Sequence, residues 1–141
     1  MVDESRLLEK ISRVLDGEGD RMRKAACVAE VIRQPGAYRR VGIYEATEEE
    51  IVNLAFDAPG APDHPRFPVT QGLSGSAVAS GKHVVGDVRE DPRYLTADGG
   101  IRSEIIVSVA GYAGREVVGT IDVESEQLDA LPTAPAWSAS P

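Results

Sequence analysis

Cysteine is nearly absent from the chain: its 141 residues include one, Cys27. A single thiol excludes an intramolecular disulfide and any Cys-x-x-Cys metal or redox site. Aromatic residues are scarce at 5%, and there are two histidines, His64 and His83. Positive charge is also short, with 15 Lys and Arg against 23 Asp and Glu, for a net charge of −8. Neutralising phosphates takes a basic face, so this balance argues against nucleic acid and anionic membranes as partners. No apolar run reaches spanning length, and the opening Met-Val-Asp-Glu-Ser does not read as a signal peptide. The expectation is a soluble, cytoplasmic chain whose length and 42% apolar content suit one domain with its own core.

What is present begins with helices. Leu7, Leu8, Ile11, Val14 and Leu15 recur at helical spacing, with Asp3 or Ser5 placed to cap the start and Gly17 to end it. Asp20 opens a second helix with Met22, Ala25, Ala26, Cys27, Ala29 and Ile32 as apolar positions, stopped by Pro35-Gly36. The period then changes to two. Val41 and Ile43 alternate with Gly42 and Tyr44 in a strand from Tyr38 to Glu45. A polar turn follows, and Val52, Leu54 and Phe56 lie on one side of a second strand, so the pair predicts a hairpin. Prolines at 59, 62, 65 and 68 make the next loop unsuited to interior strand or helix, and a long loop of this kind fits over a pocket.

Residues 75–81 read as a short helix, "KHVVGDV" as a short strand and "REDPRYL" as a turn. Asp91 and Pro92 suit the cap and first position of a helical turn there, rather than a ligand contact from Asp87 or Asp91. "SEIIVSVAGY" and "REVVGTIDVES" are two longer strands joined at Ala113-Gly114, apolar enough to be central and covered on both faces. Residues 1–131 form one domain on this reading, and the Ala/Pro/Ser-rich 132–141 a loosely attached tail. The order of elements gives an α+β sandwich with a mostly antiparallel sheet.

The glycine-rich "GLSGSAVASGK" invites a catalytic reading and fails each one. A phosphate-binding loop needs G-x-x-x-x-G-K-[ST]; Gly75 to Gly81 spans one residue too many, and His83 stands at the Ser/Thr position. A nucleophile elbow needs G-x-S-x-G, and Ser76 stands where its second glycine belongs. Two histidines, one cysteine and scattered carboxylates give no cluster at metal-ligand spacing, so no metal is expected. Cys27, on an apolar helix face, reads as a structural thiol.

In this order and spacing, "GLSGSAVASGKHVVGDVREDPRY", "SEIIVSV" and "GTIDVES" resemble the second half of a GAF domain. The helix–helix–hairpin opening is similar to its first half, so the resemblance covers residues 5–128. It implies an α+β, profilin-like fold: a central antiparallel sheet of five or six strands, helices on one face and a loop-roofed pocket on the other. It also implies a small-molecule sensor that needs no cofactor, and a homodimer formed through the N-terminal helices.

Within that fold the chain is most similar to the free methionine-(R)-sulfoxide reductases. Those enzymes keep a cysteine where this chain has Ser74, and another in the loop that here reads "YLTADGGIR". Their substrate-holding carboxylates match Glu104, Asp122 and Glu124. The resemblance implies a reductase-type pocket used for binding only, lined by Ser74, Tyr94, Ser103, Glu104, Asp122 and Glu124. A thiol enzyme of the reductase class and a ligand-free dimerisation module are the alternatives.

The residues themselves agree in part. Asp122 and Glu124 point to one face of the last strand, Ile121 and Val123 to the other. Two neighbouring carboxylates on a central strand repel unless they meet a cation, a donor or water. A pocket collecting an ammonium group accounts for them, and so does a wet face near the strand end. Glu104, at the start of its strand, has the same two readings. After Leu131 the Pro-Thr-Ala-Pro run cannot make the closing helix usual in the family, which predicts an exposed apolar strip on the first two helices.

Overall fold

The structure, a computed structural model, describes residues 4–36, 38–62, 64–70, 82–85, 88–91, 100–110 and 117–128. The expected helix at 75–81, the segment 92–99, the Ala113-Gly114 connection and the tail 132–141 lie outside them.

Two helices come first, α1 (Glu4–Asp16) and α2 (Arg21–Gly36). Asp20 caps α2 by accepting the Arg23 amide at 2.8 Å, as its position predicts. Lys24 Nζ donates to the Leu15 carbonyl at 2.8 Å and ties the end of α1 to the start of α2. On α1, Leu7, Ile11 and Val14 are half-buried, whereas Leu8 and Leu15 are exposed, as is Met22 on α2. Leu8, Leu15 and Met22 are thus exposed apolar side chains on the two helices.

Among the described residues six strands follow: β1 (Arg40–Ala46), β2 (Glu50–Asp57), β3 (Arg66–Pro68), β4 (Lys82–Val85), β5 (Ser103–Ala110) and β6 (Val117–Ser125). They form one sheet in the order β3-β2-β1-β6-β5-β4, with every described pair antiparallel. The Pro-rich segment contributes β3 only as an edge strand, where a missing amide donor costs no ladder bond. A single 3₁₀ turn, Val88–Glu90, precedes β5.

The hairpin forms as predicted, but its second strand does not keep one face. Tyr44 pairs with Asn53 and Ile43 with Ala55, leaving Leu54 as the extra residue of a bulge. Val52 and Phe56 consequently lie on opposite faces: Val52 is opposite Glu45, and Phe56 is opposite Gly42. Asn53 stabilises the irregularity by donating its side-chain amide to the Ala55 carbonyl at 3.0 Å and the Ile43 carbonyl at 3.5 Å.

The central strands present two chemically different faces. Towards α2 lie Val41, Ile105 and Val123, packed with Ala29 and flanked by Ile32, Ile43, Val107 and Ile121. Ion pairs Arg33–Asp57 (3.3 Å) and Arg21–Glu45 hold α2 over this side. The opposite face carries Asp122 and Glu124 together, as the strand alternation predicts, and Glu104 joins them as a third buried carboxylate.

Close approach of β1 and β6 depends on Gly119, where a Cβ would stand 2.4 Å from the Tyr44 carbonyl oxygen. The obstacle is backbone, so the strands themselves would have to part. Gly119→Ala is expected to destabilise the fold by about 1–3 kcal/mol, read as a lower urea midpoint. An unchanged midpoint would contradict this packing.

Candidate functional site

The site follows from strand register. Across β1, β6 and β5, Arg40 is opposite Glu124, which is opposite Glu104. The next row is Gly42, Asp122 and Ile106; the third is Tyr44, Thr120 and Ser108. Paired residues in an antiparallel ladder share a face, so all nine positions lie on the side away from α2. Asp122 stands at the centre. Its neighbour on β1 is Gly42, and a Cβ there would come within 2.7 Å of Tyr44 Cε1. The missing side chain gives the Tyr44 ring its place beside Asp122, braced edge-on by Phe67 at 6.2 Å between centroids.

Glu104, Asp122 and Glu124 are buried, with one oxygen from each within 4.8 Å of the others. The wet-face reading therefore fails for all three. At an effective dielectric of 20, each pair of full charges at this distance repels by about 3.5 kcal/mol. Three ionised groups would face about 10 kcal/mol of mutual repulsion, against about 4–5 kcal/mol of attraction from one guanidinium at 3.7 Å. That guanidinium is Arg40, whose Nε lies 3.7 Å from Glu124 Oε2. Protonation relieves the imbalance. Burial, then the charges of Asp122 and Glu124, push the Glu104 carboxyl well above its ordinary range. Burial and the Glu124 charge do the same to Asp122, opposed by the neighbouring Glu104 carboxyl and by Arg40. A proton held between oxygens of this cluster would relieve the repulsion and let one carboxyl donate to another. The Tyr44 hydroxyl is also pushed up, by burial and then by Asp122 and Glu124.

Polar capacity is left over. Glu104 Oε2, Asp122 Oδ1, Thr120 Oγ1 and Arg40 Nε and Nη1 are buried without hydrogen-bond partners among the described residues. Buried polar atoms are normally paired, so this cluster has the character of a site built to receive something. Its carboxylate oxygens suit an ammonium or another cation.

Of the residues expected to line the pocket, the structure brings together Glu104, Asp122 and Glu124. Ser103 is not with them. It lies on the other face, opposite Ser125, and its hydroxyl donates to the Gln127 carbonyl at 2.6 Å. Ser74 and Tyr94 lie outside the described residues. Sequence reasoning missed Arg40, Gly42, Tyr44 and Thr120. The signal was available for β1: once Val41 and Ile43 are given to the core, Arg40 and Tyr44 must share the opposite face.

No protein-family model and no curated protein matches the chain. Solved structures do. The free methionine-R-sulfoxide reductase of Neisseria meningitidis, in complex with its substrate, is 29% identical, with a TM-score of 0.82. The match covers 98% of this chain and 84% of that one. A putative GAF sensor protein from Burkholderia vietnamiensis is 23% identical, with a TM-score of 0.78 over 93% of this chain and 85% of that one. The chain has a GAF fold. Within GAF folds it lies near the reductases: the type II free methionine-R-sulfoxide reductase of Thermoplasma acidophilum is 26% identical, with a TM-score of 0.73. That match covers 79% of this chain and 78% of that one. No helix of this GAF chain is long and apolar enough to cross a membrane among its described residues.

The raised carboxyls have a consequence for stability. The folded domain holds protons that the unfolded chain, with ordinary values of 4.5 for Glu104 and 3.8 for Asp122, has released. Stabilisation is thus complete below those values and is lost as pH rises through the raised folded ones. Without ligand, urea unfolding is expected to show stability falling above about pH 4, with a limiting slope of about 1.4 kcal/mol per pH unit per proton. Asp122→Asn should flatten the profile and raise stability near neutrality; a wild-type profile that climbs with pH would refute the shared-proton account.

Proposed function

We propose that this GAF domain binds a small metabolite through an amine group, without catalysing a reaction. The observation that carries the reading is the buried Glu104–Asp122–Glu124 cluster, with more negative charge than Arg40 offsets. An ammonium group with three donors would satisfy those oxygens and replace the proton they share. Similarity to sulfoxide reductases supports a metabolite pocket on this face. The chain's single thiol supports the non-catalytic part: Cys27 is on α2, which packs on the other side of the sheet. Attack on a sulfoxide needs a thiolate at the substrate.

Two measurements test this. Calorimetry with free methionine sulfoxide and other small amines, repeated in buffers of different ionisation enthalpy, should show proton release on binding. Affinity should rise with pH through the carboxyl titration and fall by about tenfold or more in Asp122→Asn, the loss expected of a charged hydrogen bond. An assay with a thiol reductant should show no turnover of methionine sulfoxide. Turnover that disappears in Cys27→Ser would replace the binding-only reading with the thiol enzyme.

The signal would pass through a homodimer formed by the N-terminal helices, where Leu8, Leu15 and Met22 are exposed. Light scattering at tens of micromolar should give a dimer mass, and Leu8→Glu with Leu15→Glu a monomer. A wild-type monomer would remove this route.

A further inference from the structure

Arg40 is 5% exposed on a central strand, which is an unusual place for a guanidinium. Its only described ion pair is with Glu124, and at 3.7 Å that contact is longer than a hydrogen bond. Arg40 Nε and Nη1 are both buried with no hydrogen-bond partner among the described residues. If Arg40 served only to neutralise Glu124, the fork of donors would be expected to close on the carboxylate, as arginine–carboxylate pairs commonly do. It stands off instead.

Register places Arg40 at the β1 end of the row whose other members are Glu124 and Glu104. Neighbouring strands are about 4.8 Å apart, so donors at Arg40 and acceptors at Asp122 and Glu104 are within reach of one small molecule. On β1 the space over Gly42 is taken by the Tyr44 ring, whose hydroxyl lies 3.4 Å from where a Gly42 Cβ would stand, so the tyrosine lines the same space beside Arg40.

We propose that Arg40 is an anion-reading subsite, so that the ligand is a compact zwitterion whose acidic group meets Arg40 while its ammonium meets the carboxylates. The inference rests on the amine reading given above and adds a second charge requirement to it. Arg40 then acts as a specificity residue: it excludes simple amines, which would leave its donors unpaired inside the site. Planar acids such as carboxylates suit the fork best, because two parallel N–H donors can meet two oxygens.

The test compares probes that differ in one charge. The standard free amino acids and methionine sulfoxide are screened by thermal shift, and the strongest binder is measured by calorimetry beside its primary amide and its decarboxylated amine. The acid is expected to bind wild type about tenfold or more tightly than either derivative, the loss typical of a buried charged hydrogen bond. Arg40→Met should weaken the acid by a similar factor and bind the amide at least as tightly as wild type does. Arg40→Lys should recover part of the loss. Equal binding of acid, amide and amine to wild type would overturn the inference and leave the amine reading standing; no binding by any of them would remove both. If Arg40→Met does not fold, the wild-type ratio of acid to amide decides.

Discussion

Three carboxylates share one buried space, and among the described residues the guanidinium ion-paired with them, that of Arg40, cannot balance their charge. Much else on this face of the sheet follows from that constraint. It requires protons or a cation at the cluster, and it raises the affinity of Glu104, Asp122 and the Tyr44 hydroxyl for protons. It also makes the face costly. A domain tolerates buried charge when other packing offsets it, and here the offset lies on the reverse of the same strands. Val41, Ile105 and Val123 alternate with Arg40, Glu104, Asp122 and Glu124, so each strand contributes apolar burial on one side and the site on the other.

Strand alternation therefore decides the geometry, and two glycines make it possible. Gly119 lets the β6 backbone approach the Tyr44 carbonyl, and Gly42 leaves room for the Tyr44 ring next to Asp122. The bulge at Leu54 works in the same direction. It turns the end of β2 so that Ala55 packs with Ile43 on the helix side and Asp57 reaches Arg33. Had the strand run regularly, Phe56 would have faced α2 and Asp57 the carboxylates, adding a fourth acid to the face that already holds Glu104, Asp122 and Glu124.

The helices, the hairpin and both long strands were legible because each carries its own period or cap: Asp20 before α2, Val41 and Ile43 in β1, Ile121 and Val123 in β6. The pairing of Asp122 with Glu124 was legible for the same reason. What could not be read was burial. A carboxylate at a strand start, such as Glu104, is usually exposed, and only the order β1-β6-β5 brings it opposite Glu124. Ser103 illustrates the converse. It is adjacent to a site residue in sequence, yet period two sends it to the other face and to the Gln127 carbonyl. The bulge was hidden too, because an extra residue in one strand leaves its composition unchanged.

The resemblance to sulfoxide reductases and the charge of the site make separate contributions to the functional reading. The first supports a metabolite pocket on this face; the second specifies what a ligand must carry. Among the described residues, the site offers carboxyl acceptors, the Arg40 guanidinium and the Tyr44 ring. Discrimination by charge follows naturally. A ligand without an ammonium would leave the carboxyls holding their protons, and one without an acid would leave Arg40 unmet. In a buried site an unmatched charge costs more than a missing apolar contact, so under the proposed zwitterion reading the ligand's two charged ends would weigh most in selectivity.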